Sequence, residues 1–191
     1  MPITINGNGT ITGLSAGGLP AGSVTSATLA AGAKPITVAE QWKLLADEDI
    51  NGSQALSNLG VQTSLGGGQL GGTQMTKDGS TFTFPSTGIY LVMSGIWFNS
   101  NGDISNVRVQ IEYSSDSGSS FSVAADSFGL VQDDGNSGQH YNNASTMFIF
   151  DITDTTNQKV RMSVNSSSNL TYQGSSNETS SHITFIRLGA T

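Results

Sequence analysis

From about residue 80 onward the chain alternates apolar and polar residues. In "NVRVQIEY", Val107, Val109, Ile111 and Tyr113 alternate with Arg108, Gln110 and Glu112. In "QKVRMSV", Val160, Met162 and Val164 alternate with Lys159, Arg161 and Ser163. A period of two puts the apolar side chains on one side of an extended strand, so each of these strands has a dry face and a wet face. Strands are predicted at 80–85, 88–99, 106–113, 120–128, 144–153, 158–165, 169–173 and 181–188. Turn residues such as Ser86-Thr87-Gly88, Asn101-Gly102 and Asp116-Ser117-Gly118 separate them. Short strands at near-regular spacing predict a mainly β sandwich or jelly roll.

Three strands are apolar on both sides. "GIYLVMSGIWF" sets Ile89, Leu91, Met93 and Trp97 against Tyr90, Val92, Ile96 and Phe98. "TMFIFDI" sets Phe148, Phe150 and Ile152 against Met147 and Ile149, and "HITFIRL" sets Ile183 and Phe185 against Ile186 and Leu188. A sandwich buries one face of each sheet, so a second dry face across three strands demands a cover. Either the N-terminal region folds back over it or copies of the same sheet pack about a symmetry axis. The pattern favours self-association.

The first third of the chain reads differently. No charged residue occurs from Met1 to Ala33, and residues 1–36 are read as an extended docking arm. Asn6-Gly7 and Asn8-Gly9 between β-branched residues signal a short hairpin. Ile3, Ile5, Ile11, Leu14 and Leu19 are small apolar contacts that such an arm offers another protein, and an uncharged arm buries no unpaired charge on docking. Residues 37–73 are read as a short helical segment and a Gly-rich joint. Thr37 and Glu40 form a capping box, with Val38, Trp42 and Leu45 at i, i+4 and i+7. Ser53 to Gly60 suggests a second helical turn. The head domain is placed at 74–191.

Composition narrows the function. Charged residues are 11% of the chain, against roughly 25% in ordinary soluble domains, so Ser, Thr, Asn, Gln and Gly must solvate much of the surface. The net charge is −7 and the seven cations are scattered, which argues against nucleic acid and anionic membrane surfaces as partners. Cysteine is absent, which removes disulfides, thiolate metal sites and a Cys nucleophile. No apolar run approaches the ~18 residues of a membrane span, so no membrane insertion is expected, and nothing reads as a secretory signal.

In "FTFPSTGIYLV", Phe82, Phe84, Pro85, Gly88, Ile89 and Tyr90 stand where the C1q/tumour-necrosis-factor (TNF) family has its aromatic strand, Pro, Gly turn and following Gly-aromatic-aliphatic strand. "ITFIRLG" resembles that family's last strand at Phe185 and Leu188. The resemblance covers roughly residues 77–191. It implies a C1q/TNF-like jelly roll in a homotrimer with the inner-sheet aromatics on the three-fold axis. That assigns Tyr90, Val92, Ile96, Phe98, Phe148, Phe150 and Phe185 to the trimer core. Separately, "INGNGTITGLSAGGLPAGSVT" and "ALSNLGV" resemble segments of bacteriophage tail-fibre and other virion-surface proteins. This resemblance implies an N-terminal part that docks on other virion proteins and a head that faces outward. No extended shaft or coiled coil is present, so a stubby appendage is expected.

Catalytic motifs are weak. "GLSAG" formally fits the G-x-S-x-G elbow, but Gly18, Leu19 and Pro20 follow where a helix must start. Only His140 and His182 are available as imidazoles. The leading candidate ligand loop is "QDDGNSGQHYNN", where Asp133, Asp134 and His140 could bind a divalent cation and Tyr141 and Asn142 or Asn143 could stack on and hydrogen-bond a sugar. A paired-carboxylate glycosidase needs a cleft, which the pattern does not suggest. The expectation is a non-enzymatic, cofactor-free phage virion protein, made in the host cytoplasm and displayed on the virion surface. It would act as a trimeric short fibre that adsorbs to host surface glycan. The alternatives are a capsid decoration, cement or head-fibre protein and, more remotely, a polysaccharide depolymerase.

Overall fold

The computed structural model describes residues 36–63, 74–133, 135 and 138–191, and the backbone alone of 4–5, 11–12 and 69–70. In chain order the strands are β1 Thr4–Ile5, β2 Ile11–Thr12, β3 Ala39–Leu44, β4 Glu48–Ala55, β5 Leu59–Val61, β6 Gln69–Leu70 and β7 Thr76–Asp78. They continue with β8 Thr81–Thr83, β9 Gly88–Ser100, β10 Ile104–Ser114, β11 Ser122–Val131, β12 His140–Ile152, β13 Lys159–Tyr172 and β14 His182–Gly189. The chain divides into two units, Met1–Pro35 and Ile36–Thr191.

In the first unit β1 pairs antiparallel with β2, Thr4 opposite Thr12 and Ile5 opposite Ile11, as the Asn-Gly pairs between them predict. Ile3, Leu14 and Leu19 of the arm lie outside the described residues.

The second unit is a jelly-roll sandwich of antiparallel strands. One sheet runs β12-β9-β14-β3, with β5 and β6 on the far side of β3. The other runs β11-β10-β13, and the free side of β13 is shared by β8 and β4, with β7 beyond β8. At one end Thr171 and Tyr172 of β13 pair with β4 and also with Asn99 and Phe98 of β9, so the sheets run into one another. The segments 158–165 and 169–173, expected as two strands, are this one strand. Its register slips between Ser166 and Leu170, opposite Gly52 and Ile50. Gly52 supplies the left-handed φ of 85° at that slip, a conformation glycine adopts at no steric cost.

Burial follows the alternation. Val107, Val109 and Ile111 from β10, and Val160, Met162 and Val164 from β13, are completely buried. They meet Tyr90, Val92, Phe98, Ile183 and Phe185 from the facing sheet. Aromatic rings tie the layers together: Phe84 lies 4.7 Å from Tyr90 and Phe82 lies 5.0 Å from Phe185, centroid to centroid. Each such side chain contributes about 1.5–3 kcal/mol through burial.

Two expectations are corrected. Residues 37–60 are not helical: they form β3, β4 and most of β5, and so belong to the sandwich. Val38, Trp42 and Leu45 fit a helical stripe, but Val38, Glu40, Trp42 and Leu44 also alternate with period two. The second pattern wins, because Val38, Glu40 and Leu44 are buried whereas Leu45 is exposed. Glu40 caps no helix; its carboxylate accepts the backbone N–H of Met75. Trp42 stands edge-on to Phe82 at 5.2 Å. Packing against β14 overrides a local capping signal.

The second correction concerns the aromatic set assigned to a trimer core. Tyr90, Val92, Phe98 and Phe185 are completely buried inside a single chain, and Ile96 and Phe150 are nearly so. Of that set only Phe148 is exposed. Alternation divides a strand into two sides without saying which side turns toward the opposite sheet. Here the aromatic side turns inward.

Candidate functional site

The opposite side of β9 builds the candidate site. Register places Leu91 beside Ile149 of β12 and Ile186 of β14, and Met93 beside Met147 and Thr184. Met147 is 64% and Ile149 59% exposed, and Leu188 at the end of β14 is 52% exposed. These side chains form a contiguous apolar band at one end of the sheet face. Beside it, an apolar cleft of about 300 Å³ opens among Tyr113, Val123, Ala124, Phe148 and Phe150, where the edges of β11 and β12 approach.

Further along β9 the face changes character. Gly95 lies opposite Ser145 and His182, and Trp97 opposite Asn143. Together with Glu178, Thr179 and Ser180 they line an open groove of about 380 Å³. Gly95 is the floor: a Cβ there would come within 3.1 Å of the His182 ring. Trp97 is 42% exposed, and its ring lies 5.7 Å from that of Tyr141, tilted by 50°. The Tyr141 hydroxyl donates to Gln139 Oε1 at 3.0 Å. Burial pulls the His182 imidazole below its ordinary value, opposed by the Ser180 backbone, so the ring is neutral near pH 7.

The loop that carries Glu178 is held from both ends. Gln173 N donates to Trp97 O at 2.7 Å, and Trp97 N donates to Ser181 Oγ at 3.1 Å. From below, Lys43 Nζ donates to Ser176 O at 2.8 Å and Gln62 Nε2 to Thr179 Oγ1 at 2.8 Å. Gly174 N donates to Asp47 Oδ1 at 2.8 Å. The buried Lys43 and Gln62 are positioning residues on β3 and just after β5.

The structure divides the ligand loop predicted from sequence. Asp133 and His140 come together, Oδ1 to Nε2 at 3.5 Å, and Asp133 N donates to Asp103 Oδ1. Asp134 lies outside the described residues. His140, Tyr141 and Asn142 begin β12 rather than a loop, so alternation sends neighbours to opposite sides. Asn142 Nδ2 donates to Leu130 O at 2.7 Å, whereas Tyr141 turns to Trp97. Sequence reading missed Trp97, Asn143, Ser145, Glu178 and His182 as one site, because they come from three distant segments. Among the described residues no group of three His, Cys, Asp or Glu could hold a metal ion, and no helix is long and apolar enough to cross a membrane.

No protein-family profile and no curated protein matches the chain. Solved structures do. Eiger TNF from S. frugiperda superposes with a TM-score of 0.60 at 10% identity, covering 83% of this chain and 96% of that one. Murine APRIL at pH 5.0 superposes with a TM-score of 0.56 at 11% identity, covering 79% and 98%. At such identities the likeness is one of fold. The chain is a TNF-like jelly roll.

Proposed function

We propose that the protein is a non-enzymatic structural component of a phage virion. It is a trimeric short appendage whose N-terminal arm docks on the particle and whose jelly-roll head faces outward for host adsorption. The apolar band of Leu91, Met93, Met147, Ile149 and Ile186 carries the oligomeric half of this reading. A solvent-facing apolar patch on a rigid sheet is costly unless covered, and copies arranged about an axis cover it mutually. The particle half is supported by the arm, which resembles virion-surface segments and lacks charge from Met1 to Ala33. Three heads on one axis would convert weak single contacts into firm attachment through effective concentration.

The same apolar band and docking arm would equally serve a protein that decorates or cements the capsid, which is the alternative reading. Sedimentation of the full chain tests the assembly: a trimer is expected, and a monomer at micromolar concentration overturns it. A density map of the particle tests the location. Density at the tail supports adsorption, and density on the three-fold axes of the shell replaces it with decoration.

A further inference from the structure

We propose that the groove between β9, β12 and the loop before β14 is a saccharide-binding site for neutral, uncharged sugar units, with Trp97 as its platform and Asn143, Glu178 and His182 as its polar rim. The proposal deepens the adsorption reading and rests on it for its biological purpose; the chemistry stands on the groove itself.

Three observations converge. The first is the aromatic wall. Trp97 is 42% exposed, and the exposed Tyr141 extends its surface at 5.7 Å. An exposed indole offers a flat apolar face to the C–H side of a pyranose while its surroundings stay wet. The second is the rim. The Asn143 amide both donates and accepts, the Glu178 carboxylate accepts, and Thr179 and Ser180 supply hydroxyls. Such a mixture matches vicinal hydroxyls, which need donors and acceptors side by side. Among the described residues no Lys or Arg lines the groove. A phosphate, sulfate or uronate would meet a carboxylate with no cation to offset it, so the ligand class is neutral.

The third is preorganisation. The groove volume of about 380 Å³ lies within the roughly 300–1,000 Å³ of small-ligand sites. Its walls need no ordering on binding: one is a sheet, the other a loop fixed through Trp97, Ser181, Lys43 and Gln62. Rigid walls spare the ligand the entropy of ordering them. The site is also clear of the apolar band. Met93 and Trp97 are four positions apart along extended strand, about 13 Å.

The experiment uses the full-length chain labelled with nitrogen-15. Only two tryptophans occur, so the indole N–H signal that disappears in Trp97→Phe identifies the groove. Methyl glycosides and trisaccharides of glucose, galactose, mannose and N-acetylglucosamine are titrated to about 50 mM, a range that captures even weak single-site binding. Methyl glucuronide is the charged comparison. At least one neutral sugar is expected to shift the Trp97 signal saturably and leave Trp42 unmoved. By calorimetry, Trp97→Ala is expected to weaken that sugar about tenfold or more. Asn143→Ala and Glu178→Gln should weaken it while unfolding midpoints stay put. No shift with any neutral sugar, or an equal response to the glucuronide, overturns the proposal. Adsorption of the same protein to host cells is measured in parallel. Adsorption that persists in Trp97→Ala while no sugar binds defeats the groove alone, and sugar binding without adsorption defeats the adsorption reading alone.

Discussion

The two sides of β9 carry almost the same count of large apolar residues, yet they have opposite fates. Tyr90, Val92, Ile96 and Phe98 lie within the sandwich, while Leu91, Met93 and Trp97 remain partly or largely accessible. Hydrophobicity alone does not separate them. What separates them is their partners: on the inward side Tyr90 packs against Phe84 and Phe98 against Tyr172. On the outward side Leu91 and Met93 neighbour Ile149, Met147 and Ile186 of the same sheet, and the one ring, Trp97, meets Tyr141. A rigid interior wants interdigitating rings with few rotamers, whereas an adaptable contact surface is well served by methionine.

The contrast breaks most readily from the inside. Phe98→Ala should cost about 3–5 kcal/mol of unfolding free energy, read from urea denaturation, because it opens a cavity where two sheets meet. A loss below 1 kcal/mol would mean that the inward side is not the core. On the outward side, the double variant Met147→Asp/Ile149→Asp should weaken association by about a hundredfold or more in sedimentation. The unfolding free energy of the single chain should change by less than about 0.5 kcal/mol. An unchanged sedimentation coefficient would remove the band from the interface.

Smaller effects probe the polar end of the face. Gly95→Ala should cost about 1 kcal/mol, since the His182 ring must yield to the new methyl group. A neutral or stabilising outcome would show that the ring is free to move. His182 itself should leave a shallow slope in stability against pH. Its folded value is pulled below 6.5 by burial, so between those two values the unfolded chain binds more protons than the folded one. Stability is therefore complete above about pH 6.5 and declines as pH falls through that window. His182→Gln should flatten the slope in urea midpoints measured from pH 7 to 5, and an unaltered slope would place its origin elsewhere.

Most of the sandwich was legible because the strands are long and their alternation is clean. Strands expected at 88–99, 106–113 and 181–188 appear as Gly88–Ser100, Ile104–Ser114 and His182–Gly189. Residues 37–60 were misread because Thr37, Glu40 and Trp42 satisfy helical and extended patterns at once, and only the edge of β14 decides between them. The orientation of β9 was illegible for a related reason. When both sides of a strand are apolar, the inward one is chosen by the partner sheet, which local sequence does not contain. The groove was harder still. Asn143 meets Trp97, and Ser145 and His182 meet Gly95, only through strand register. The local hints were the run Tyr141-Asn142-Asn143, read as sugar-contacting side chains, and a tryptophan that the pattern assigns to a dry face.

The apolar band also has a chemical side. Among the described methionines, Met75 and Met162 are sealed in the core, whereas Met147 is 64% exposed and Met93 partly so. An oxidant therefore reaches the band before it reaches the interior. Conversion of a thioether to its sulfoxide would plant a strong dipole in the middle of the patch. A chain oxidised before it finds its partners would keep its fold but lose its adhesive surface, and partners already in place would shield the sulfur from attack. Free and assembled chains should thus age differently in peroxide, with Met147 recording which state each molecule was in.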